Sequence, residues 1–147
     1  MNEPEIVYIR LIPGNDVPDR TFSTPFKVVI VADLPSADDW QTSIAKRLIS
    51  QGCLYVMCWG VDCELWEESV DWVQVDLEIA SPGRPDESFV MTTQHSSEPL
   101  SAVFWYSWHC AAAPNDELDP VVILLISDTD RFSELADAYR LARHSDE

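Results

Sequence analysis

Short β-branched apolar runs alternate along this chain with stretches of helical spacing. Residues 5–12 alternate apolar and polar positions and are rich in Ile and Val, which predicts a strand ended by Pro13 and Gly14. Residues 13–25 contain Pro13, Pro18 and Pro25 and read as a loop. Residues 27–32 form a run of apolar side chains after Lys27, the mark of a strand buried on both faces. Ser36 is placed to cap a helix with Asp38 and Asp39 in its first turn, and Trp40, Ile44, Leu48 and Ile49 form its inward stripe. Gln51 and Gly52 close that helix, and residues 53–58 are a second buried strand.

Asp62 is placed to cap a second helix, with Leu65, Trp66, Ser69, Val70 and Val73 facing in and Glu64, Glu67, Glu68 and Asp71 facing out. Residues 73–79 alternate Val, Val, Leu and Ile with polar residues and fit either a strand or the end of that helix. Residues 82–85 are a loop, and residues 89–93 a third core strand. Pro99 suits the first turn of a helix facing in with Leu100, Val103, Phe104 and Ser107. Residues 114–120 form an acidic connector, and residues 121–126 a fourth core strand. Asp128 or Thr129 caps a last helix with Phe132, Leu135, Ala136 and Tyr139 inward, and residues 143–147 are a loose tail.

Buried strands alternating with amphipathic helices predict an α/β three-layer sandwich, a mostly parallel sheet of about five strands with helices on both faces. No helix follows the first strand, so an antiparallel edge position is expected for it. At 147 residues the chain is read as a single domain over 1–147, large enough to bury a full core.

Charge changes this picture more than any motif does. The chain has 9 basic and 26 acidic residues, net −17. From Leu48 to Asp130 the only basic side chain is Arg84, against fifteen acids. That distribution argues against a nucleic-acid or anionic-membrane binder. The start of the chain lacks the basic and apolar segments of a signal peptide, and no run approaches a membrane span, so a cytoplasmic location is expected. Cys53, Cys58, Cys63 and Cys110 are then expected to be reduced, with Cys53 buried. None of the four glycines lies within three residues of another, which excludes the glycine-rich nucleotide loops. The series Cys53, Cys58, Cys63 lacks the close pair of a zinc site. No cofactor and no metal are expected.

Ligands of open α/β sheets bind beyond the carboxyl ends of the strands. Those ends offer Cys58 as a nucleophile, His95 as a base, and Asp33 or Asp128 as orienting carboxylates. All four also have ordinary roles in capping helices and turning the chain. His109 lies at a helix end and His144 in the tail, where structural or solvated roles suffice. The carboxylates Glu64, Glu67, Glu68 and Asp71, close to several tryptophans, form instead a candidate surface for a basic protein.

Two segments, residues 52–72 (GCLYVMCWGVDCELWEESVDW) and 89–105 (FVMTTQHSSEPLSAVFW), resemble an uncharacterised family of small bacterial proteins, a domain of unknown function. The chain has Gln94 where the resemblance leads one to expect an aromatic before the histidine. The resemblance implies a bacterial, cytosolic, single-domain protein and brings no activity with it. The leading expectation is a non-catalytic protein-binding module, an immunity or inhibitor protein for a basic partner such as a toxin nuclease. The alternatives are a small hydrolase-like enzyme using the strand-end residues, and an acidic mimic of nucleic acid.

Overall fold

The computed structural model describes residues 5–85, 88–113 and 117–144. Residues 114–116 of the acidic connector and 145–147 of the expected tail lie outside the described residues. Five strands and four helices follow in the order β1 (Ile6–Leu11), β2 (Phe26–Ala32), α1 (Asp38–Ser50), β3 (Cys53–Gly60), α2 (Cys63–Ala80), β4 (Met91–Gln94), α3 (Leu100–His109), β5 (Val121–Ile126) and α4 (Phe132–Ala142).

The strands form one sheet in the order β1-β5-β2-β3-β4, parallel at every pairing. The two central strands explain the uninterrupted apolar runs. All of β5 is buried, and so is all of β2, including Lys27. One face, with Val28, Ile30, Val56, Val122 and Leu124, packs against Ile44 and Leu48 of α1 and Trp66 and Val70 of α2. The other, with Val29, Val31, Met57, Ile123 and Leu125, packs against Val103 and Phe104 of α3 and Leu135 and Tyr139 of α4. Each such aliphatic side chain contributes about 1.5–3 kcal/mol by leaving water.

The first strand is at the edge, as expected, but it runs parallel to β5, not antiparallel. A parallel crossover needs about a dozen residues, and a helix is only its usual form. Residues 12–25 make this crossover as an irregular layer beside α1. Val17 is buried, Phe22 packs on the core, Trp40 Nε1 donates to the Asn15 carbonyl, and Arg47 pairs with Asp19.

The ambiguous residues 73–79 are helical, the last turns of α2. Val73 is buried and Leu77 half-buried, while Val75 and Ile79 face outward. Leu65, expected inward, is exposed as well. The third core strand is shorter and more peripheral than expected: β4 is an edge, with Phe89 and Met91 exposed and only Val90 fully buried. Gln74 holds this segment to α2 through both amide atoms, Nε2 donating to the Val90 carbonyl and Oε1 accepting from the Val90 N–H.

The helix starts also differ in detail. Ala37, not Ser36, is the α1 N-cap, and Ser36 Oγ instead accepts from buried Gln41. Pro99 sits at the α3 N-cap position, not in the first turn. Neither Asp128 nor Thr129 caps α4. Asp130 Oδ1 accepts from the Phe132 N–H, and Phe132 itself is exposed. Asp62 does occupy the α2 N-cap position, but in the left-handed region (φ 60°) and without a side-chain capping bond. The turn before it needs Gly60. At φ +100° a Cβ there would lie 2.3 Å from the Ala32 carbonyl oxygen, which accepts from the Val61 N–H.

Candidate functional site: the rim at the strand carboxyl ends

The strand ends expected to carry chemistry form one rim with two different corners. After β2 the chain turns to the α1–α2 face, and after the neighbouring β5 it turns to the α3–α4 face. The crevice between them is the topological switch point, where ligands of open α/β sheets commonly sit. Here protein side chains fill it. Arg131 Nη1 donates to both oxygens of Asp33 at 2.8 and 2.9 Å, and its Nη2 donates to Glu134. Tyr8 Oη donates to Asp130 and accepts from the Arg131 N–H. The Tyr8 bond holds the Asp130 carboxyl below the usual range. Arg10 Nη1 donates to the Ser127 carbonyl, and Asp128 lies exposed, accepting from Thr129. Asp33 is thus engaged by Arg131, and no bond joins it to His95.

At the other corner the proposed Cys58–His95 pairing is replaced by a different chain of bonds. Cys58 is fully buried in the layer under α1 and α2. Desolvation, reinforced by Glu67 and its neighbours, raises its pKa well above the ordinary thiol value and keeps it a neutral thiol. Its bond to residue 95 is between backbones, His95 N–H to Cys58 carbonyl. The His95 ring turns toward α3 and lies edge-on to Tyr106 at 5.2 Å. Its Nδ1 is 2.7 Å from Glu98 Oε2 and its Nε2 2.8 Å from Thr93 Oγ1. A carboxylate only accepts, so in the neutral ring Nδ1 carries the proton and Nε2 accepts from the Thr93 hydroxyl. Trp59 Nε1 closes the same turn by donating to the Glu98 carbonyl.

Beside this turn, on the α2 side, opens a concavity of about 530 Å³. Gly60 and Cys63 line it together with Asp62, Glu64, Glu67, Glu68, Gln94 and Ser96, and none of its lining residues is basic. Partial burial, then repulsion from Asp71, Glu64 and Glu68, raises the Glu67 pKa. Burial also raises that of Asp71. The field here is negative, because α2 holds six acids and no base. The predicted outward face, Glu64, Glu67, Glu68 and Asp71, is on the outside of α2, with Glu67 the most sheltered.

The four cysteines are free, with Cys53, Cys58 and Cys63 buried and Cys110 exposed. Among the described residues no group of three or more His, Cys, Asp or Glu is arranged to hold a metal ion. No helix among them is long and apolar enough to cross a membrane. His109 donates from Nε2 to the Arg143 carbonyl, a structural role, and His144 is exposed.

The sequence places Thr93 at the strand ends without giving it a role, and it gives none to Glu98 or Arg131. Thr93 and Glu98 flank His95 at two and three residues, a spacing that was open to inspection. Arg131 is 98 residues from Asp33, and no local signal marks that pairing. No protein of curated function and no solved structure matches the chain. A family model does match it, over residues 6–142, from the start of β1 to the end of α4: the chain belongs to the family described as a domain of unknown function, DUF7684.

Proposed function

We propose that this protein is a non-catalytic binding module for a basic protein, of the kind formed by an immunity or inhibitor protein with a toxin nuclease. The observation that carries this reading is the concavity walled by Glu64, Glu67, Glu68 and Asp62 with no basic residue in it. Like charges held together on one helix repel, each close pair costing a few tenths of a kcal/mol. A cationic partner relieves that repulsion, and complementary charge speeds the encounter. The test is affinity capture of the partner from the source cell, followed by association kinetics. Reversal of Glu64, Glu67 and Glu68 to lysine should slow association at least about tenfold at low salt, and added salt should slow the wild type more than the variant. An association rate indifferent to the triple reversal would remove α2 from the interface.

A second reading, a small hydrolase-like enzyme, has one observation in its favour. The Thr93 hydroxyl, the His95 ring and the Glu98 carboxylate follow one another in the order of nucleophile, base and orienting group. Against it, Gln94 and Ser96 line the concavity, while Thr93 points to the opposite side of the strand. The turn is fully accounted for as a latch between β4 and α3. A turnover abolished by Thr93→Ala and by His95→Ala, yet kept by Cys58→Ala, would establish the enzyme instead.

A further inference from the structure

The outer surface of α2 carries a second feature that the acidic reading does not use. Leu65, Trp72, Val75 and Ile79 are spaced by seven, three and four residues, so they form one stripe along the helix. They are 40, 63, 44 and 73 % exposed. The helix does not need them for its own packing, because Trp66, Val70 and Val73 already bury its inner face. Beyond Asp76, toward α1, lies a groove of about 410 Å³ between α1 and α2, lined by Ile49, Val73, Leu77 and Ala80 with Lys46 and Asp76 at its charged positions. Exposed apolar surface gathered along one side of a helix marks an interaction site when it is contiguous, as it is from Trp72 to Ile79.

We infer that this stripe and groove are a docking surface for one amphipathic helix of the basic partner. The shape favours a helix: the stripe runs along α2 from Leu65 to Ile79, and two adjacent helices form a groove that accepts the ridge of a third. Charge selects the partner. Glu68 lies within the stripe between Leu65 and Trp72, Asp71 and Asp76 flank it, and the whole chain is at −17, so a second copy would bring like charge against like. A helix with an apolar seam and lysine or arginine along its borders complements both features at once. Trp72 is the anchor, a large aromatic that covers apolar area at small cost in side-chain entropy. The positive sign of the partner rests on the function proposed above, whereas the helical form rests on the stripe alone.

The probe is a pair of synthetic peptides of leucine and lysine, each as long as α2. One has leucines at helical spacing and the other is a scrambled isomer of the same composition and charge. Fluorescence anisotropy with the full chain should show the amphipathic isomer binding at least about tenfold more tightly. Trp72→Ala combined with Ile79→Ser should weaken it by at least about tenfold and leave the scrambled isomer unchanged. Both side chains are more than half exposed, so the variant keeps its fold, which circular dichroism checks. Ile79→Ser alone is the milder second variant and should weaken binding in the same sense. Equal affinity for the two isomers, or an unaffected variant, overturns helix docking while leaving the acidic-face reading standing. Binding of neither isomer also overturns it, as does self-association in sedimentation that Trp72→Ala abolishes. Failure of the acidic-face reading has a different signature, a captured partner indifferent to reversal of Glu64, Glu67 and Glu68.

Discussion

The two corners of the sheet rim treat carboxylates in opposite ways. Where β5 and β2 end, one arginine serves both Asp33 and Glu134, and Tyr8 serves Asp130. Where β3 and β4 end, Glu64, Glu67 and Glu68 share a concavity with no cation. The first corner is a closed structural joint, tying β2 to the start of α4. The second stores repulsion that folding alone does not relieve. A fold needing only solubility would gain it from dispersed charge, so the concentration of acid on α2 is the feature on which the proposed binding function rests.

A third charged site bounds that comparison and carries the largest expected effect. Lys27 lies within the sheet's α3 side, its ammonium donating to the Ser107 and Ala111 carbonyls at the end of α3. Burial lowers its pKa from 10.5 to about 8. The unfolded chain therefore holds a proton that the native chain has lost between those values, and stability rises with pH across that window. Relative to Lys27→Met, the wild type should gain roughly 3 kcal/mol from pH 8 to 10.5 in urea unfolding. An equal pH dependence in the two proteins would mean that the ammonium is not buried as described.

Arg131→Met tests the closed corner. It leaves Asp33 without its partner, and about 1–2 kcal/mol of stability should be lost. The loss is smaller than for a fully buried pair, because the two side chains remain 24 and 29 % exposed. Glu67→Gln tests the open corner and should have the opposite sign, a gain of a few tenths of a kcal/mol at neutral pH. The Glu67 pKa is raised in the native state, so its ionisation destabilises above that value. The gain should fade as pH falls toward the ordinary glutamate value of 4.5. If instead Arg131→Met proved neutral and Glu67→Gln destabilising, the contrast between the corners would be lost.

These two corners also differ in how far the amino-acid sequence reveals them. The open one was legible, because Glu64, Glu67, Glu68 and Asp71 recur at helical spacing on one element. The buried strands were legible too, since β-branched runs without polar breaks have few other places to go. What escaped was either long-range or periodic in two ways at once. Asp33 meets Arg131 only when β2 and β5 become neighbours. The alternation of Val73, Val75, Leu77 and Ile79 looks like a strand, but wound into a helix it splits, with 73 and 77 inward and 75 and 79 outward. Two of the residues that made the segment ambiguous, Val75 and Ile79, therefore belong to the exposed stripe of α2. The direction of β1 escaped because a long loop can make a crossover that usually takes a helix.

Hydrogen–deuterium exchange on the complex with a captured basic partner tests the central claim most directly, because it reads both corners in one experiment. Protection should appear over residues 63–80 of α2 and at Gln94 and Ser96 beside it. The corner around Asp33 and Arg131 should exchange as it does in the free protein. Protection at that corner, with α2 unchanged, would contradict the account.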